Sequence, residues 1–358
     1  MPGRRPIVAR VSRPTPWRQH QDLPSLTGLR AVAALTVFVN HAGFFIGGTS
    51  WAGPWSAVRP VGVCGLVLFF VLSGYLLGQP GTLRGGGGAY ALRRIARIYP
   101  VYLPALLLSA ASVVRWGLAG EVLRPGTLLA NVLLLQSWSP RGEAASISLP
   151  AWSLSVELLF YAALPLTLGL FTRACRARPV LTLLLLLAAA VLGGEMLVRG
   201  WVWPTFPPAY LPVFYLGTYG AVRGLAGLRS LGAAAALSAG AVVAYLVWPN
   251  PAVPAAAFVL LVTTLARHDR AGRVALGGAW RRAGSWSMPF FLLHLVVLDA
   301  VAIVHPSPAR SVPAGLALAA VVLGGSTLVA AATHRYVEEP GRRWVMRAAP
   351  WSQRLPRS

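Results

Sequence analysis

Ten apolar runs of 16–22 residues, near 26–46, 60–79, 96–114, 150–171, 180–198, 208–223, 231–248, 252–267, 285–304 and 313–334, recur along the chain. Arginine-bearing segments and turn signals such as Gly85–Gly88 and Pro249-Asn250-Pro251 separate them. Runs of this length are what a helix needs to cross hydrocarbon, and only helices and closed barrels satisfy the backbone there. The expected fold class is therefore all-α, a polytopic integral membrane protein of about ten transmembrane helices. Composition agrees: 56% of the residues are hydrophobic, only 11% are charged, and the mean hydropathy is +0.62.

The net charge of +23 comes wholly from arginine, because the chain has no lysine. These arginines lie between apolar runs rather than in one patch, which argues against nucleic acid as a partner. With the N-terminus inside, the inner segments hold 25 arginines. The outer ones hold six, and Arg30 lies within the first run. That asymmetry places both termini in the cytoplasm. The organisation expected is an Arg-rich cytoplasmic tail over residues 1–23, one membrane domain over 24–345, and a short cytoplasmic tail over 346–358. The first 23 residues lack the apolar core and cleavage site of a signal peptide. Cys64 and Cys175 offer no framework for a disulfide, and no metal-ligand spacing occurs.

Ionisable residues inside the spans are the candidates for chemistry, because they are costly in a bilayer and face a bundle interior or a cavity. Arg30 and His41 are eleven residues apart in the first run. Eleven steps of about 100° return within about 20° of the starting face, roughly 16 Å further along the helix. In the fourth run, Ser153 and Glu157 are four apart and share a face. The orientation puts Glu157 about two turns below the outer surface, at the depth of His41. A carboxylate beside a histidine fixes its tautomer and raises its basicity, which suits proton abstraction from a hydroxyl. The competing reading is structural: Arg30 reaches the headgroups, and His41 and Glu157 pair as glue between helices. Arg94 and Arg97, three apart, project together from the start of the third helix, and paired guanidiniums suit phosphate. Arginines beside a span also follow from topology alone. His294 and Asp299 lie in the ninth run, and His334 at the inner end of the tenth.

Five segments, in order, resemble the acyltransferase 3 family of integral-membrane O-acyltransferases. Leu26-Thr27-Gly28-Leu29-Arg30 with His41 looks like its arginine, ten residues, histidine signature. Phe69-Phe70-Val71-Leu72-Ser73-Gly74-Tyr75-Leu76 and Arg94-Ile95-Ala96-Arg97-Ile98-Tyr99-Pro100 look like its second- and third-helix motifs. Trp152-Ser153-Leu154-Ser155-Val156-Glu157, followed by Phe160-Tyr161, resembles its serine, three residues, glutamate signature. Tyr336-Val337-Glu338-Glu339-Pro340 with Arg342-Arg343 resembles its closing motif.

The resemblance implies transfer of an acyl group, acetyl or another short one, from acyl-CoA to a hydroxyl in a sugar-containing acceptor. That acceptor is a surface polysaccharide or a macrolide-type natural product, and the setting is the inner (plasma) membrane. By the same resemblance His41 is catalytic, as general base or transient acyl carrier, with Glu157 supporting it. Arg30, Arg94 and Arg97 hold the donor, and Ser73, Trp152, Ser153 and His294 contact substrate. The ninth helix keeps the serine, leucine and histidine of the family pattern as Ser287, Leu292 and His294. It loses both tyrosine hydroxyls, at Met288 and Phe291. The rival from another class is a transporter of a polar substrate, which predicts internal helix repeats; none is evident between the two halves.

Overall fold

A computed structural model describes residues 23–47, 59–115, 124–140, 147–304 and 312–347, and all regular structure among them is helical. The helices are α1 (Pro24–Gly47), α2 (Arg59–Leu77), α3 (Gly86–Arg115), the short α4 (Pro125–Val132), α5 (Trp152–Ala177) and α6 (Pro179–Val198). They continue with α7 (Pro207–Val222), α8 (Leu231–Val247), α9 (Ala252–Arg270), the short α10 (Ala279–Ser285), α11 (Ser287–Val304), α12 (Val312–Thr333) and α13 (Glu339–Arg347). Among these described helices, the ten of 16 residues or more coincide with the ten apolar runs. Six described helical stretches are long and apolar enough to cross a membrane: Gly86–Arg115, Leu149–Ala177, Pro179–Val198, Ala252–Arg270, Ser287–Val304 and Pro313–Arg347. The two tails lie outside the described residues but for Leu23, Met346 and Arg347. Cys64 and Cys175 are both free and buried.

Backbone proximity holds the centre together. A Cβ on Gly74 of α2 would collide with the Phe214 carbonyl oxygen in α7, and one on Gly217 with the Val71 carbonyl oxygen. Small residues let two helices touch backbone to backbone, which replaces the hydrophobic drive that lipid removes. Phe214 then stacks between Phe70 of α2 and Phe160 of α5, with ring centroids at 4.5 and 4.6 Å. These three helices form the wall on which the site is built.

The start of α1 is fixed by hydrogen bonds. Asp269 of α9 accepts from the Ser25 backbone N–H at 2.9 Å and from its hydroxyl at 2.5 Å. A carboxylate at a helix N-terminus satisfies orphan donors and opposes the positive end of the dipole. Gly28 lets Leu276 approach, and Gly284 of α10 lies against the Thr27 carbonyl oxygen. The leading residues of the first motif therefore dock α1 at one height, which sets the heights of Arg30 and His41.

The start of α3 differs from the sequence reading. α3 begins at Gly86 rather than near 96, so Arg93, Arg94 and Arg97 lie well inside a 30-residue helix. A hydropathy criterion sees only the apolar part and misses a polar extension. The segment before α5, which lies between two apolar runs, packs inward in part. Asn131, Gln136 and Ser137 are buried. Tyr102 donates its hydroxyl to the Asn131 carbonyl at 2.5 Å, and Gln136 and Ser137 donate to the carbonyls of Ala151 and Trp152, each at 3.0 Å. The first turn of α5 is thus anchored to buried polar residues.

The α2–α7 contact yields a stability test. Gly74→Val forces the two backbones apart and costs about 1–3 kcal/mol. A Cβ at Gly169 of α5 meets nothing within 4 Å, so Gly169→Ala leaves stability unharmed. Thermal unfolding midpoints of the two variants in detergent check the contrast.

Candidate active site

Two polar centres lie along α1. The first is a pocket lined by Arg30 (α1), Ser73, Leu76 and Leu77 (α2), Arg94, Arg97 and Ile98 (α3), Glu157 and Tyr161 (α5) and Met288 (α11). The cavity is small, about 60 Å³. Glu157 accepts two hydrogen bonds on one carboxylate oxygen, from the Ser73 hydroxyl at 2.6 Å and the Tyr161 hydroxyl at 2.5 Å. Tyr161 is four residues from Glu157 on the same helix, so the pair shares a face.

Each arginine is held differently. Arg30 donates through Nε to the Ser287 hydroxyl at 3.3 Å and lies over the Phe69 ring. Arg94 lies between the rings of Tyr90 and Tyr161, at 5.8 and 5.5 Å, and its Nε is buried without a hydrogen-bond partner. Arg97 donates to Glu338 at 2.5 Å, and His334 bonds the other oxygen of the same carboxylate at 2.8 Å. His334–Glu338 forms a wide π-type turn between α12 and α13, a distortion frequent at functional sites. Gly341 packs on Pro100, which holds this turn against α3. The pocket thus gathers three guanidiniums, answered by Glu157 in its wall and by Glu338 on Arg97. Such a balance favours a further anion, and guanidinium forks suit phosphate or carboxylate oxygens.

The second centre is His41. Its Nδ1 lies 2.8 Å from Nε2 of His294 on α11. His294 is 1% exposed and packed by Phe38, Phe290 and Phe291. Between the two centres the contacts run through rings. Arg30 lies over Phe69, Phe69 meets Phe291 edge-on at 5.9 Å, and Phe291 packs on His294.

This arrangement corrects the expected pairing of Glu157 with His41. The structure gives Glu157 to Ser73 and Tyr161 in the Arg30 pocket, and gives His41 to His294. The depth argument assumed that α5 starts at a surface. Its first turn is instead bonded to the buried Gln136 and Ser137, and Glu157 lines the pocket with Arg30, roughly 16 Å from His41 along α1. Among the remaining candidates, Ser73 and His294 belong to the first and second centres respectively. Ser153 is buried and donates to the Pro150 carbonyl at 3.0 Å, an anchor for the start of α5. Trp152 lies against Tyr210, with ring centroids at 5.6 Å, beside the Phe70–Phe214 stack. Asp299 lies on α11 outside both centres. Tyr161, Ser287 and Glu338 were not among the candidates, and His334 was noted without a partner or role. The spacing Glu157-x3-Tyr161 was the available signal for the first. The closing motif contains Glu338, but nothing local announces its pairing with Arg97, 241 residues away.

Comparisons with known proteins converge. The family model described as "Acyltransferase domain" matches residues 23–334. Acyltransferase MdmB of Streptomyces mycarofaciens is 33% identical over 311 residues, covering 77% of this chain and 79% of that protein. "Putative peptidoglycan O-acetyltransferase YrhL" of Bacillus subtilis (strain 168) is 30% identical over 198 residues, 49% of this chain but only 29% of that protein. No solved structure matches. Four of the five sequence motifs lie within the matched span and the fifth begins just beyond it, at Tyr336, and the chain belongs to the acyltransferase 3 family of membrane acyl-transferring enzymes.

Proposed function

We propose that this enzyme carries a short acyl group, acetyl in the simplest case, from acyl-CoA to a hydroxyl of a sugar-containing acceptor at the plasma membrane. The observation that carries this reading is the spacing of two centres on one helix. A pocket of three arginines lies at Arg30, and a histidine lies at His41, roughly 16 Å along the same face of α1. A donor with an anionic head and a reactive end on a long, slender arm fits that spacing, and acyl-CoA is such a donor. Phe69, Phe291 and Met288 offer the arm an apolar wall between the centres. The name of the Bacillus relative supports a sugar-type acceptor.

In this mechanism Arg30, Arg94 and Arg97 bind donor phosphates, with Glu157 holding Ser73 and Tyr161 in place at the pocket wall. His41 takes the acceptor's hydroxyl proton as the oxygen attacks the thioester carbonyl. The ester C–O bond forms and the C–S bond breaks. The thiolate leaves and is protonated in turn, which returns His41 to its neutral form. The family match and the named relatives favour this enzyme over a transporter. The membrane topology belongs to the same proposal: ten crossings with both termini cytoplasmic, supported by the 25-to-six arginine split and by the ten helices.

Three experiments test it. Reporter fusions after residues 54, 199 and 250 read as extracytoplasmic and those after 86 and 270 as cytoplasmic; a cytoplasmic signal at 250 breaks the topology. Arg94→Ala weakens acetyl-CoA binding about ten- to hundredfold, the weight of a charge-assisted phosphate contact. Arg94→Lys recovers only part of that, since lysine lacks the fork, and unchanged affinity in a folded Arg94→Ala, Arg97→Ala double variant assigns these arginines to topology instead. His41→Ala lowers acyl transfer about a hundred- to ten-thousandfold, the range of a lost general base. Comparing acylated metabolites of a deletion strain complemented with wild-type or His41→Ala protein measures this, with membrane insertion checked by immunoblot. Normal product from His41→Ala refutes the mechanism.

A further inference from the structure

The hydrogen bonds around His294 admit one arrangement of protons when both rings are neutral. Nδ1 of His294 lies 3.1 Å from the Phe290 carbonyl oxygen and 2.9 Å from that of Phe291. Carbonyl oxygens only accept, so Nδ1 carries the proton and donates. In a neutral imidazole the other nitrogen is then an acceptor. Nε2 of His294 therefore presents a lone pair to His41, whose Nδ1 is 2.8 Å away. His41 Nδ1 must carry its proton to make this bond, and the ring's remaining lone pair falls on Nε2. The neutral state of His294 follows from its surroundings. The ring is 1% exposed among Phe38, Phe290 and Phe291, where an uncompensated charge is costly.

We propose that His294 is a positioning residue: it relays a fixed hydrogen-bond polarity from the α11 backbone to His41 and so locks His41 in the tautomer whose Nε2 accepts the substrate proton. The proposal rests on His41 acting as base. It differs from the expectation that His294 touches substrate, because the bond to His41 and those to the helix carbonyls engage both of its ring nitrogens. It also gives this histidine the part that a carboxylate more often plays. A neutral acceptor fixes orientation and tautomer without placing a second negative charge inside the bundle. When Nε2 takes the proton, the Nδ1–H bond remains and holds the ring in place as the thiolate departs.

A ligand-free measurement tests the relay directly. The chain has six histidines, and nitrogen-15 histidine labelling of the full protein in nanodiscs, with His41 assigned by loss of its signals in His41→Asn, reads each ring nitrogen. An unprotonated ring nitrogen resonates far downfield of a protonated one. The expected result is a protonated Nδ1 and an unprotonated Nε2 on His41. The opposite tautomer, or an equal mixture, overturns the proposal whatever the activity.

The second measurement uses the complemented deletion strain and direct binding of acetyl-CoA. His294→Leu removes the acceptor and lowers acylated product about ten- to hundredfold, the weight of a buried polar group left without its partner, while acetyl-CoA affinity is kept. His294→Gln places an amide oxygen where Nε2 lay and restores most of the transfer. Full transfer by His294→Leu overturns the relay, as does failure of His294→Gln to exceed His294→Leu. Normal transfer by His41→Ala instead removes the base reading itself, so the two failures are separable.

Discussion

A carboxylate inside a helix bundle must be met by donors and cations, and Glu157 is the residue around which this molecule meets that requirement. Its side chain draws a hydroxyl from α2 and another from its own helix, and it shares a pocket with arginines from α1 and α3. Glu338 repeats the arrangement from the far end of the chain by holding Arg97 and His334. The two carboxylates therefore tie four long helices and the 334–338 turn to one height. Three guanidiniums against two carboxylates leave a positive excess that the fold does not itself neutralise, and a phosphate-bearing donor would complete the balance.

The division of labour along α1 follows from helix geometry. Residues eleven apart return to nearly the same face, so one rigid element presents a guanidinium and an imidazole to one side of the bundle. The docking of α1 by Ser25, Gly28 and Asp269 then matters for chemistry as well as for folding. A shift by one residue would turn both groups by about 100° and remove both from their centres at once. This is a physical reason for the first motif to extend upstream of its arginine.

Much of this was legible in the sequence. The apolar runs gave the ten long helices, since a run of this length has few alternatives, and the shared face of Arg30 and His41 needed only the helical repeat. The partner of His41 was not legible. Its assignment depended on where α5 begins in depth, and that is decided by Asn131, Gln136 and Ser137, polar residues that read as a loop yet are buried. The His294 contact spans 253 residues and the Glu338 contact 241, and no local pattern encodes either. α3 was misjudged for a related reason. Arg93, Arg94 and Arg97 interrupt its apolar run without interrupting its helix. Sequence periodicity reports which residues share a face of one helix. Which faces meet is set by the heights of the helices, and those heights are fixed by a few polar anchors.

The two tyrosine positions that α11 lacks bear on how the centres stay distinct. Met288 lines the arginine pocket, and Phe291 packs between Phe69 and His294. A hydroxyl at either position would bring a donor and acceptor close to a network whose proton positions are otherwise fixed by two backbone carbonyls. With a thioether and a phenyl ring there, the polar contacts of each centre are made within it, and the wall between them is apolar. Such a wall suits the uncharged arm of a thioester donor. It also lowers the local dielectric around His41, whose hydrogen bond to His294 is then stronger than it would be in water.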